Sequence, residues 1–183
     1  MLKAFTILRD TLLQAPSLSL PNPSRPFHLF TDERQGIAVG VLVQPLGPTY
    51  RPVDYLSKQL DPTLHGWQLC LWAFGSAAEL GKEALKLTLC QPVTIFSSHR
   101  LMDLLSHHVL SLLSPSRLQE FHLLFVEGTA LSLWLSPRLN PATLLPTPTT
   151  DIELAHSCPE VLDFLSLPLA PPLYVPWQPE VAR

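Results

Sequence analysis

Catalysis needs nucleophiles, bases or metal ligands brought together, and this chain spreads such residues thinly. Its three cysteines, Cys70, Cys90 and Cys158, lie far apart and form no CxxC pair. His107-His108 and His156-x-Cys158 each resemble half a zinc site. A structural zinc takes four ligands, and no second pair stands at ligand spacing. These residues read as surface or helix-end histidines. Cys70 falls on the apolar stripe of a helical segment and reads as a small core residue. Asp32 sits just before Glu33-Arg34-Gln35-Gly36, where an aspartate opens a turn and accepts backbone N–H bonds. No glycine-rich phosphate loop and no Ser-His-Asp arrangement is present.

Those residues must be carried by elements, and the stretch from Phe27 to Pro62 organises them. Phe27–Thr31 is apolar and β-rich. Ile37–Val43 is a nearly continuous apolar run ended by Pro45, Gly47 and Pro48, and Val53–Leu56 is short. Turn residues separate the three, so they form an antiparallel meander. Downstream, Trp67, Leu71, Phe74 and Ala78 follow helical spacing, with Cys70 and Ala77 widening the face, and predict a helix to about Lys86. Gly75 and Gly81 weaken that helix by about 1 kcal/mol each relative to alanine, so packing must hold it. Val93–Phe96 reads as a buried strand, Ser97-Ser98 as the cap of a helix over 99–106, Ser116–Val126 as another helix, and Ala130–Leu135 as the fifth strand. Upstream, 1–14 predicts an amphipathic helix with Phe5 and Leu12 on its apolar stripe, and 15–26 an extended connector. Ten of the twenty prolines fall from Pro137 onward. An irregular arm to Thr150, a short helix over 158–165 and disorder after Pro168 are expected there.

Composition bounds the rest. A chain of 183 residues is one domain plus a tail, or at most two small ones. Apolar residues reach 46%, ample for a core. Charged residues make up only 15%, against about 25% in typical domains. A net charge of −3 argues against a free-standing nucleic-acid binder, whose footprint is basic. It suits a piece whose other surfaces are covered by neighbours. The sparse, odd cysteines and the absence of a secretory signal predict an intracellular protein, cytoplasmic or nuclear, and no run is long and apolar enough to span a membrane.

The segments TDERQGIAVGVLVQPLGP at 31–48, RPVDYLSKQLDP at 51–62, Gly66-Trp67, KLTLCQPV at 86–93 and LNPATLLP at 139–146 resemble, in that order, one region of gammaretroviral and endogenous retroviral Pol polyproteins. That region is the connection domain of reverse transcriptase. The resemblance covers roughly residues 4–162 and implies an α/β (α+β mixed) ribonuclease H-like fold: a five-stranded mixed sheet with packed helices and a proline-rich C-terminal arm. The implied division is an N-terminal helix and connector over 1–26, a connection domain over 27–136 and an arm over 137–183. The starting methionine, and an end before any second ribonuclease H domain, lead to the expectation of a truncated reading frame.

In active members of that fold about four carboxylates hold two divalent ions roughly 4 Å apart. Asp32 matches the first position. The central-helix position falls on Cys70 and the fourth-strand position on Ser98, with no candidate for the last. Glu79 lies nine residues past Cys70, about 13 Å along a helix axis. Asp103 lies more than a turn past Ser98. The expectation is therefore no catalytic residues and no cofactor, with Asp32 a vestigial single acid. Polymerase activity also lacks its aromatic-x-Asp-Asp motif.

The resemblance places Arg51, Lys58 and His65 near a template–primer duplex, where three charges give weak, salt-sensitive affinity. A solvated lysine at a strand end is the plainer reading of Lys58. Pro171-Pro172-Leu173-Tyr174 looks like a PPxY ligand of WW domains, a preformed polyproline helix with an aromatic anchor. Three functions are consistent with these residues. The first is a non-catalytic structural module whose partners are other reverse transcriptase subdomains and, weakly, RNA–DNA or DNA duplex. The second is a residual, magnesium-dependent RNA–DNA hybrid ribonuclease. The third is an adaptor presenting Pro171, Pro172 and Tyr174.

Overall fold

The computed structural model describes residues 3, 5–7, 9–10, 18–61, 69–106, 113–136 and 140–145. The meander is present: β1 (Phe27–Arg34), β2 (Ile37–Leu46) and β3 (Thr49–Gln59) pair antiparallel. Helix α1 (Leu69–Leu87), β4 (Val93–Ser97), α2 (Leu101–Ser106), α3 (Pro115–His122) and β5 (Leu131–Leu135) come next, then a 3-10 turn at Pro141–Leu144. The sheet runs β3-β2-β1-β4-β5, with β4 parallel to both β1 and β5. β1 is thus the central strand of a five-stranded mixed sheet, as expected.

The details differ from the sequence reading at the element ends. β1 continues to Arg34, so Asp32 lies inside the strand opposite Val39 and does not open the turn. The turn is Gln35-Gly36, both at positive φ (53° and 78°), and the Glu33 carboxylate accepts the Gly36 N–H at 2.6 Å. This is the backbone twist a two-residue hairpin requires. β3 is far longer than Val53–Leu56. It is an edge strand, where Pro52 is tolerated, and the register shifts between Leu42/Val43 so that Val53 bulges. Helix α2 starts at Leu101, with Ser97 Oγ accepting the His99 N–H (3.2 Å) just ahead of it. α3 continues as a π turn, Leu123–Glu127, instead of one regular helix. The expected short helix over 158–165 and the tail lie outside the described residues.

One face of the sheet packs on α1. Leu29, Leu42, Val93, Ile95, Phe74, Ala77 and Leu80 are almost fully buried there. The two elements approach closely because both carry glycine at the contact. A Cβ on Gly40 would meet Leu80 Cδ1 at 2.9 Å and the Phe30 carbonyl at 3.1 Å, and one on Gly81 would meet Ile95 and Leu131 methyls at 3.0 Å. Gly81 thus weakens the isolated helix but admits it to the sheet. On the opposite face a second, small cluster joins Phe30, Val41 and Val43 to Ala142 of the 3-10 turn.

Candidate functional site

The ends of β1 and β4 meet beside residues 140–145, and every polar group described there is engaged. Strand alternation puts Asp32 and Arg34 on the face of Phe30. The Asp32 carboxylate, 5% exposed, pairs with Arg34 Nε at 3.3 Å. Arg34 Nη2 donates to the Thr143 carbonyl at 2.6 Å. Asn140 is 3% exposed; its Nδ2 donates to the Thr31 carbonyl (2.7 Å) and to Ser98 Oγ (3.2 Å). Its Oδ1 accepts the Ala142 N–H at 3.0 Å, capping the 3-10 turn that Pro141 opens. From the other side Ser76 Oγ of α1 donates to the Asp32 carbonyl at 3.0 Å.

The other acids stand elsewhere. Glu79 bonds Lys58 at 2.8 Å and also Lys82, whose Nζ reaches Glu120. Asp103 pairs with Arg100 at 3.6 Å. Cys70 is 1% exposed within the α1 core, as its place on the stripe implied. No group of three or more His, Cys, Asp or Glu able to hold a metal occurs among the described residues.

The cationic residues sort unequally. The Val53 bulge puts Arg51, opposite Gln44, and Lys58, opposite Ala38, on the α1 side of β3. Arg51 is exposed. Lys58 lies between Glu79 and Glu83, at 2.8 and 3.3 Å. The Glu79 hydrogen bond raises the Lys58 ammonium above its ordinary range, against a smaller opposing effect of burial. Burial pushes Glu79 upward, but hydrogen bonds from Lys58 and Lys82 together outweigh it and hold the carboxyl low. His65, Pro171, Pro172 and Tyr174 lie outside the described residues, as do His107, His108, His156 and Cys158. Arg34, Ser76 and Asn140, which organise the strand ends, went unremarked in the sequence. The Asn-Pro pair at 140–141 carried a legible cap signal; the others carried none.

Residues 1–95 of the 183 match the family described as an RNase H-like domain found in reverse transcriptase. The chain belongs to this family. Its relatives include the Pol polyprotein of feline endogenous virus ECE1, 45% identical over 159 residues that make up 87% of this chain and 15% of that polyprotein. The Gag-Pol polyprotein of baboon endogenous virus is 45% identical over 159 residues, 87% of this chain and 9% of its own length. That of avian reticuloendotheliosis virus is 44% identical over 164 residues, covering 90% and 14%. The chain thus spans between 9% and 15% of these polyproteins. Among solved structures, prototype foamy virus protease-reverse transcriptase (a CSH mutant) overlays with a TM-score of 0.60 at 12% identity, covering 76% of this chain and 19% of that one. Foamy viral protease-reverse transcriptase in complex with RNA/DNA hybrid gives 0.58 at 15% identity, covering 81% and 20%. The shared fold is the RNase H-like α/β fold.

Magnesium is the ion that RNase H chemistry implies, and the donor set among the described residues does not fit it. A hard dication takes several anionic or neutral oxygens. The Asp32 carboxylate already faces a guanidinium, Cys70 is a thiol buried in the core, and the Ser98 hydroxyl is bound to Asn140.

Proposed function

We propose that this chain is a non-catalytic RNase H-like module of the reverse transcriptase connection type. It is a structural piece linking polymerase and ribonuclease H parts and helping to hold template–primer. Its body is 27–136, with the connector 1–26 before it and the arm 137–183 after. The observation that carries this reading is the Asp32–Arg34 pair. Where metal chemistry needs carboxylates converging, the described residues supply one, and its neighbour is a fixed cation 3.3 Å away. Its partners are the other subdomains of a Pol polyprotein and, weakly, nucleic-acid duplex. The foamy viral enzymes of the same fold include complexes with double-stranded DNA and with RNA/DNA hybrid.

Arg51, Lys58 and His65 are the proposed duplex contacts. Lys58 contributes least while Glu79 and Glu83 hold it, since a phosphate must displace two carboxylates. Affinity is therefore low and falls steeply with salt. The test is an RNA–DNA hybrid incubated with the chain in magnesium or manganese. No cleavage is expected. Cleavage that disappears in Asp32→Asn would overturn the reading. Anisotropy titration of a labelled hybrid should weaken in Arg51→Glu.

A further inference from the structure

β3 is an edge of the sheet, and its outer side is guarded only where the strand begins. In an antiparallel ladder alternate residues turn both backbone groups to the same side. Leu60 turns inward, its N–H on the Gly36 carbonyl at 2.7 Å, so Tyr55, Ser57 and Gln59 turn outward. Near the start of the strand Ser19 closes the edge. Its N–H and Oγ both donate to the Pro52 carbonyl, at 2.8 and 3.0 Å. Pro52 and the bulge at Val53 are themselves obstacles to strand addition. Beyond them, residues 53–59 have no backbone partner on that side among the described residues, and Tyr55, Ser57 and Gln59 are exposed. The outward Tyr55 N–H is met by the Asp54 carboxylate beside it, at 2.8 Å.

We propose that this edge pairs with the same edge of a second copy, antiparallel about a two-fold axis at Leu56, joining two sheets into one. The open window itself sets the register. It is bounded by Pro52, taken by Ser19, and by Leu60, turned in to Gly36, and the midpoint of 53–59 is Leu56. Pairing about that midpoint places Tyr55 opposite the partner's Ser57, a pair that exchanges two N–H···O bonds, and the symmetry repeats it. It also places Asp54 opposite the partner's Lys58 at each end of the seam, on the α1 side. The charges suit this arrangement. Among the described residues Asp54 makes no ion pair, and its bond to Tyr55 is dispensable once the partner accepts that N–H. A lysine ordinarily guards an edge, but Lys58 is turned to Glu79 and Glu83, which leaves one of its three donors for a further carboxylate. Between the two ion pairs the half-buried Leu56 meets the partner's Leu56. That contact lies beside the apolar wall that Leu80 and Leu87 give the groove between β3 and α1. A foreign strand would need this same alternation of groups, whereas a second copy carries it by symmetry.

The experiment is sedimentation equilibrium of the full chain carrying Phe5→Ser and Leu12→Ser, so that association through the N-terminal residues does not contribute. A monomer–dimer equilibrium is expected. Ser57→Pro removes an outward N–H and leaves the ladder to β2 intact, and Asp54→Lys sets like charges opposite each other. Symmetry doubles each loss, so either change should raise the dissociation constant about tenfold or more. Under mild oxidation Leu56→Cys should cross-link above the parent chain's level. It faces itself in a non-hydrogen-bonded pair, where Cα atoms stand about 4.5 Å apart, within disulfide reach. Ser57→Cys, two positions off register from its own copy, should not. Circular dichroism melts will verify that each variant folds, and should Leu56→Cys fail to fold, Ser57→Pro and Asp54→Lys decide. A chain monomeric at every concentration would overturn the proposal. So would a dimer unmoved by either substitution, or one cross-linked by Ser57→Cys in preference to Leu56→Cys, since each puts another surface or register at the seam.

Discussion

Replacing Asn140 by alanine should unfasten residues 140–145 from the sheet. Asn140 is buried to 3% exposure and makes three described side-chain hydrogen bonds: to Thr31 O at 2.7 Å, Ser98 Oγ at 3.2 Å and the Ala142 N–H at 3.0 Å. Each bond contributes about 0.5–1.5 kcal/mol net, and a buried group left unpaired costs about 1–3 kcal/mol. The three sites are coupled through one side chain, so the terms do not add fully. A loss of about 2–4 kcal/mol is expected, lowering the melting temperature by on the order of 10 °C. Urea denaturation followed by circular dichroism measures the loss. Hydrogen exchange at Ala142 and Thr143 should rise by more than at Leu29 or Ile95. The control is Leu144→Ser, since Leu144 is 68% exposed and its change should fall within about 0.5 kcal/mol of wild type. An Asn140→Ala variant equally close to wild type would mean that this anchoring is not what holds the segment, and the reasoning would fail.

Three further outcomes are expected. Burial between aromatic rings holds the His28 imidazole below its ordinary value of 6.5. The unfolded state therefore takes up the proton first, and stability present above about pH 6.5 is lost as pH falls toward the lower folded value. Denaturation midpoints compared at about pH 7.5 and about pH 5.5 should show this, and His28→Leu should reduce the difference. Gly40→Ala forces a Cβ to within 2.9 Å of Leu80 and 3.1 Å of a backbone oxygen, so a loss of about 1–3 kcal/mol is expected by thermal melt. The N-terminal helical residues leave Phe5 and Ile7 each 68% exposed, so the chain should self-associate in sedimentation, and Phe5→Ser with Leu12→Ser should reduce it. A chain monomeric at high concentration would count against this.

The strand order was legible because turn chemistry and apolar runs are local. Gly36, Gly47 and Pro48 mark the hairpins whatever the rest of the chain does. The end of β1 was not, because Asp-Glu-Arg-Gln-Gly has the composition of a turn from its first residue. Only pairing with Val39, Ala38 and Ile37 extends the strand through Arg34. Tyr50-Arg51-Pro52 likewise reads as loop, since proline and alternating polar residues mark no buried strand; an edge strand admits them. The groups that surround Asp32 were not legible from residue types alone. The Asn140–Thr31 bond spans 109 residues, and the Lys58–Glu79 bond joins a strand to a helix whose relative roll no periodicity reveals.

The Asp32–Arg34 pair has a consistent electrostatic logic. A buried carboxylate without a counter-charge is expensive, and in an RNase H site the divalent ions supply that charge. Asp32 is the acid described at this end of the sheet, and a single carboxylate carries too little negative charge to hold a dication. One monovalent cation suffices to balance it, and Arg34, two residues along the same strand face, stands within 3.3 Å. The guanidinium's remaining donors then need acceptors, and the Thr143 carbonyl provides one at 2.6 Å. The segment 140–145 is thus held by two groups of the strand ends: Arg34 through Thr143, and Ser98 through Asn140. Arg34→Gln should therefore harm stability in a thermal melt more than Asp32→Asn with Arg34→Gln together, because the single change takes the cation from beside a buried charge that the double change removes.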